Sequence, residues 1–153
     1  MNLPLLNLLK KLKDRCPLFN NFSDHELGIF LTLSKIQKYE FENQSIFFQG
    51  EKGNCVYLIL EGEVVIFYLS KVRGEKVINT LQGGDIFGEM SLITGDKRSA
   101  NAKVKKAPVL TLVISDKIIE PNSRVQAKIY KNFARIIADR LKDKNKEASQ
   151  LTG

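Results

Sequence analysis

The stretch Phe87-Gly88-Glu89-Met90-Ser91-Leu92-Ile93-Thr94-Gly95-Asp96-Lys97-Arg98-Ser99-Ala100 interrupts a region otherwise built of short β-type runs. Gly83, Gly84 and Gly88 let the backbone turn sharply and let another group approach it closely. Residues 89–93 can form one short helix, whose first N–H groups lack partners and attract an anion. Arg98, past Gly95, can fold back onto the same anion with a fork of donors. Glu89 would repel a phosphate but would accept hydrogen bonds well from sugar hydroxyls. Opposite charges in one glycine-lined site therefore point to a ligand that carries phosphate and ribose together. The plainer alternative for two isolated charges is a surface ion pair.

On either side of this stretch, runs rich in β-branched and aromatic residues alternate with glycine-bearing turns. Candidate strands cover 36–41, 45–49, 55–60, 64–69, 76–81, 102–106 and 109–114. Between them lie Gly50-Glu51-Lys52-Gly53-Asn54, Glu61-Gly62-Glu63, Arg73-Gly74-Glu75 and Gly83-Gly84-Asp85. Seven or eight short strands at such regular spacing predict a jelly-roll-like antiparallel β-roll, taken as eight-stranded.

Helices flank the roll, which makes the fold class α+β. Leu5, Leu8, Leu9 and Leu12 recur at helical spacing over 3–13, with lysines grouped late, and Cys16-Pro17 ends that helix. Ser23 and Glu26 form a capping box ahead of Leu27, Ile29, Phe30, Leu31 and Leu33. Pro121 closes a short turn at 116–120, and Asn122 or Ser123 can cap a long last helix. On that helix Ile129, Tyr130, Phe133, Ile136 and Ile137 share one face, while Arg124, Lys128, Lys131, Arg135 and Lys142 share the other. The basic face reads as solvated.

The 153 residues suffice for one core. With 43% hydrophobic and 27% charged residues, most of the chain is expected to be ordered. No apolar run approaches the roughly 18 residues of a membrane span. The lysines follow the leucine-rich start, the reverse of a secretory signal, so the protein is expected in the cytoplasm with Cys16 and Cys55 as free thiols. The net charge of +7 is concentrated toward the two ends. A metal-dependent enzyme is excluded on inventory: His25 is the one histidine and lies in the first turn of a helix, outside the roll. It is equally out of reach as a base for a serine or cysteine nucleophile. No enzyme activity, cofactor or metal is expected.

The segment from Phe87 to Ala100 resembles the phosphate-binding cassette of the cyclic nucleotide-binding domain family, the family of the catabolite activator protein, kinase regulatory subunits and cyclic-nucleotide-gated channels. Gln49-Gly50-Glu51-Lys52-Gly53-Asn54-Cys55-Val56-Tyr57-Leu58-Ile59-Leu60-Glu61-Gly62-Glu63-Val64 resembles the family's glycine-punctuated strand pair, and Pro17-Leu18-Phe19 its N-terminal start. The likeness runs from about Cys16 to Leu141. It implies that Glu89 accepts from the ribose 2′-hydroxyl with Gly88 nearby. Met90 and Ser91 would present N–H groups to the cyclic phosphate, and Arg98 would pair with its exocyclic oxygens beside Ser99. Val64, Ile66, Ile86 and Leu92 are candidates for the pocket wall. Tyr130, Phe133, Lys144 and Asn145 are candidates for a lid over the base. Lys97, where many members carry proline, Ser91 and Thr94 depart from the common pattern without removing a phosphate contact. Ser99 does not decide the base, and cyclic AMP is favoured over cyclic GMP.

The implied plan is an amphipathic helix at 1–15, a cyclic nucleotide-binding domain at 16–146 with its lid helix at 123–146, and a frayed tail at 147–153. The implied function is a regulatory sensor that passes ligand binding on through movement of the last helix, to a second copy bound through that helix or to an effector protein. The alternative is the sensor half of a transcription regulator or channel whose effector domain is absent from this chain. The chain ends about where a helix-turn-helix domain would begin, so direct DNA binding is not expected from it alone.

Overall fold

A computed structural model describes residues 3–115 and 123–152. The turn expected at 116–120 and Asn122, one of the two expected caps, lie outside the described residues, and Ser123, the other, is the first residue of the last helix. Helix α1 (Leu3–Leu12) leads through 3₁₀ turns at Lys13–Arg15 and Pro17–Phe19 into α2 (Asp24–Leu33). The strands are β1 (Lys35–Tyr39), β2 (Ser45–Phe47), β3 (Cys55–Ser70), β4 (Gly74–Leu81), β5 (Ile86–Phe87) and β6 (Asn101–Ser115). Helix α3 (Glu89–Thr94) lies between β5 and β6, and α4 (Ser123–Thr152) closes the chain. All pairings are antiparallel, in the order β1-β6-β3-β4, with β2 on β6 and β5 on β3.

The described residues therefore form six strands, not eight. One expected turn, at 61–63, and the break between the runs 102–106 and 109–114 are bends within single strands. Gly62, at φ +87°, lets β3 continue through a series of register shifts against β6, where a side chain would run into the Pro108 carbonyl. The irregularity reverses the alternation. Before it Tyr57 and Ile59 face the roll interior, and after it Val64 does. Across from it, Ala102 and Val104 face inward before Pro108, and Val109 after it. Each long strand thus serves two parts of the roll, and two short runs in the sequence become one element.

Two cores result. One fills the roll with Tyr39, Phe47, Ile59, Val64, Phe87 and Val104. The other joins the outer face of β3 and β6, through Val56, Leu58, Leu112 and Ile114, to all the larger helices. Leu5, Leu6 and Leu9 place α1 in this same core, and Phe19, Phe22 and Phe30 pack edge-on at 5.2–6.2 Å. Val125, Ile129, Phe133 and Ile136 anchor the first half of α4 there. The helix is 30 residues long and runs through the segment expected to fray, with residues 141–150 exposed. Among the described residues, no helix is long and apolar enough to cross a membrane. Both cysteines are free, and burial pushes the Cys16 thiol up to about 12.

Part of the basic face of α4 is not simply solvated. Lys128 Nζ donates to Glu26 Oε1 at 2.7 Å and to the Asn21 carbonyl at 2.8 Å, and Asn132 Nδ2 donates to the Leu18 and Asn20 carbonyls. Glu26 also completes the capping box with Ser23. Burial alone would raise the Glu26 carboxyl, but the hydrogen bonds from Lys128 and Ser23 hold it down at about 2. A lowered folded-state value stabilises the fold above about pH 4.5, and that contribution is lost as pH falls toward 2. Lys128→Met is expected to lower stability near neutral pH by about 1–3 kcal/mol. In urea unfolding, its gap to the unsubstituted protein should narrow between pH 4.5 and 2. A gap of constant size would contradict this.

Candidate functional site

The chain between β5 and β6 builds a site from local geometry. Gly88 caps α3 with φ +81°, and a Cβ there would come within 2.6 Å of Arg98 Nη1, so only glycine fits. Gly95 ends α3 at φ +75°, its N–H donating to the Ser91 carbonyl. The Thr94 hydroxyl donates to the Met90 carbonyl and accepts from the Asp96 N–H, tightening the turn that sends the chain back. Arg98 is then pinned to the loop before β3: its N–H donates to the Glu51 carbonyl, and its carbonyl accepts from the Gly50 N–H, both at 2.8 Å.

The Arg98 side chain turns inward and is only 5% exposed. Nη1 donates to the Gly88 carbonyl at 2.8 Å and Nη2 to the Cys55 carbonyl at 3.0 Å. The guanidinium lies 4.4 Å from the Phe47 ring centre, in an aromatic cluster where Tyr57 and Phe87 stack at 4.9 Å. Nε is buried without a partner, and no carboxylate pairs with this cation among the described residues. Carbonyl dipoles and ring faces compensate a buried charge only in part.

Glu89, 7% exposed, does not pair with Arg98. It accepts instead from Arg140 Nη1 of α4 at 2.5 Å, while Arg140 Nη2 donates to the Ile86 carbonyl at 2.6 Å. The surface ion pair between Glu89 and Arg98 is thereby ruled out.

A cleft of about 260 Å³ opens beside these groups, and Gly88, Glu89, Met90, Ser91, Arg98 and Ser99 all line it. Ile66, Tyr68, Ile78 and Asn79 of β3 and β4 form the opposite wall. Among the expected wall residues, Ile66 is on the lining, whereas Val64 lies in the roll core and Ile86 in the helical core, against which Leu92 packs. Among the expected lid residues, Lys144 lines the cleft and Asn145 does not. Phe133 is 1% exposed in the helical core, and Tyr130 packs edge-on against it at 6.2 Å, both away from the lining. Arg140 was not among the expected residues. Its position seven residues after Phe133, at the end of the apolar stripe, is the one signal the sequence offered.

Residues 40–120 match a family model described as the cyclic nucleotide-binding domain. The cyclic AMP receptor protein of Thermus thermophilus is 28% identical over 136 residues, which cover 89% of this chain and 62% of the relative. Human cGMP-dependent protein kinase 2 is 30% identical over 98 residues, 63% of this chain and 13% of the kinase. The crystal structure of a cyclic nucleotide-binding domain from Methylobacillus flagellatus shares the fold with a TM-score of 0.80 at 22% identity, covering 92% of this chain and 80% of that one. The chain thus spans about three fifths of the Thermus relative and a small part of the kinase.

Proposed function

Since the chain belongs to the cyclic nucleotide-binding domain family, we propose that it is a regulatory sensor that binds a cyclic nucleotide monophosphate in the cleft beside α3, cyclic AMP in preference to cyclic GMP. The observation that carries this reading is Arg98: a buried cation with a free N–H and no carboxylate partner among the described residues, on the wall of a cleft that also holds a buried carboxylate. A phosphate supplies the missing anion. Ser91, Ser99 and the first N–H groups of α3 add donors, and Glu89 accepts from the ribose 2′-hydroxyl. The base lies against Ile66, Tyr68 and Ile78 with Lys144 over it. The preference for cyclic AMP leans on the Thermus relative, named for cyclic AMP and similar over most of this chain.

Nothing in this assignment calls for bond making or breaking, so the module acts by changing shape. Its exposed α4 segment, with Leu141 and the half-buried Ile137, is suited to meet a second copy. An effector, whether a DNA-binding or channel segment or a separate protein, reads the change only if it distinguishes the two states. Calorimetric titration of protein cleared of co-purified nucleotide tests the assignment. Heat with both nucleotides and tighter binding of cyclic AMP is expected. No heat with either, in a folded sample, contradicts it.

A further inference from the structure

Strands β3 and β4 extend past the roll as a two-stranded arm. Phe67 is the last residue of β3 paired with β6, while Tyr68, Leu69 and Ser70 pair only with Lys76, Glu75 and Gly74 of β4. The turn that closes the arm, Lys71-Val72-Arg73, carries a β-branched apolar residue where small or polar ones are the rule. Val72 at the apex is 90% exposed, and Leu69 and Val77 behind it are 66% and 55% exposed. Scattered apolar side chains are ordinary on a surface, but three aliphatic ones on one narrow arm form a patch. By strand alternation, Leu69 and Val77 share the face of Phe67, opposite Tyr68, whose side chain lines the cleft. None of the three lines the cleft, so the proposed nucleotide site does not account for them.

The charge around the apex has one sign. Lys71, Arg73 and Lys76 have no carboxylate partner among the described residues. Glu75, the one carboxylate of the arm, is taken up by Lys103 of β6, which also lies 4.7 Å from the Phe67 ring centre. The turn satisfies part of its own backbone, since Ser70 Oγ accepts from the N–H groups of Val72 and Arg73, both at 3.3 Å. Donors bonded within the arm need not be stripped bare when the apex enters an apolar medium. An aliphatic apex between unpaired cations matches the boundary of acyl chains and phosphate headgroups. A second copy of the arm would bring like charges together, and protein grooves draw on aromatic and arginine anchors more than on valine. We propose that the β3–β4 arm is a docking surface for an anionic lipid bilayer. Val72 and Leu69 seat at the acyl boundary, and Lys71, Arg73 and Lys76 meet the lipid phosphates. The arm attaches the domain without spanning the bilayer, whatever the cleft binds.

The test is co-sedimentation of the whole chain with vesicles of phosphatidylcholine alone, and of phosphatidylcholine and phosphatidylglycerol in equal parts, at about 0.15 M salt. Binding to the mixed vesicles is expected to be at least about tenfold tighter than to phosphatidylcholine. Val72→Asp should weaken it on the order of tenfold, and Lys71→Glu with Arg73→Glu about a hundredfold. Lys131→Glu with Lys142→Glu removes the same charge from exposed positions of α4 and should change binding by less than about threefold, because distant charges are screened. The chain has no tryptophan, so Val72→Trp places a single reporter at the apex. Its emission should shift to the blue on the mixed vesicles alone. The unfolding midpoint of each variant separates lost docking from lost folding, and the Val72→Trp and lipid comparisons need no loss of function. Equal binding to both vesicles, equal loss from the α4 pair, or an unshifted emission on binding overturns the proposal. Binding to neither vesicle also overturns it, and leaves the arm to a protein partner.

Discussion

Arg98→Ala is expected to weaken cyclic AMP binding by about 2–5 kcal/mol, roughly 30-fold to several thousand-fold. The size follows from burial. The guanidinium is 5% exposed, so a bound phosphate would meet it away from bulk water and screening would be weak. The variant removes the only cation of the cassette that the fold carries inside its aromatic cluster, and it leaves a phosphate facing the Gly88 and Cys55 carbonyls. Arg98→Lys should recover only part of the affinity, since a single ammonium cannot span both carbonyls and still present a fork to the ligand. The unfolding midpoint measured alongside separates a binding defect from a folding one. A loss of less than twofold in a folded variant would mean that Arg98 does not hold the phosphate.

Phe133→Ala is expected to destabilise the fold by about 3–5 kcal/mol, which lowers the thermal midpoint by roughly 6–20 °C. Phe133 is 1% exposed and joins α4 to the cluster of Leu18, Phe19 and Phe30, in a core that also holds the outer face of β3 and β6. Deleting the ring opens a cavity where three parts of the chain meet. It also loosens the seat from which Arg140 and Lys144 reach the cleft, so binding should weaken although Phe133 does not line it. Thermal and urea unfolding measure the first effect. A loss under 1 kcal/mol would show that α4 is held by something other than this packing.

What the sequence made legible was decided by local interactions. The capping box at Ser23 and Glu26, the turn of α3 between two glycines, and the return of Arg98 ten residues later all depend on neighbours in the chain. The strand count misled because Gly62 and Pro108 carry turn chemistry but face each other, and bend two long strands together instead of reversing the chain. Long-range partners left little trace. Glu89 is 51 residues from Arg140, and Glu26 is 102 from Lys128, so a cation on a helix face looks solvated until the opposing carboxylate is placed. Tyr130 and Phe133 illustrate the same limit from the other side. Helical periodicity put Phe133 on the buried face correctly, whereas Tyr130 is 40% exposed beside it, and periodicity does not say whether that face meets a core or a ligand.

The central claim is that the cleft beside α3 holds a ribose phosphate between Arg98 and Glu89. Amide chemical-shift mapping during titration with cyclic AMP tests it most directly, because it reports binding and its location together. The predicted result is a cluster of shifts at residues 88–91 and 98–100, with smaller ones at 140–144. Shifts confined to another surface, such as the groove at Gly62 and Pro108, or no shifts at saturating ligand, would contradict it.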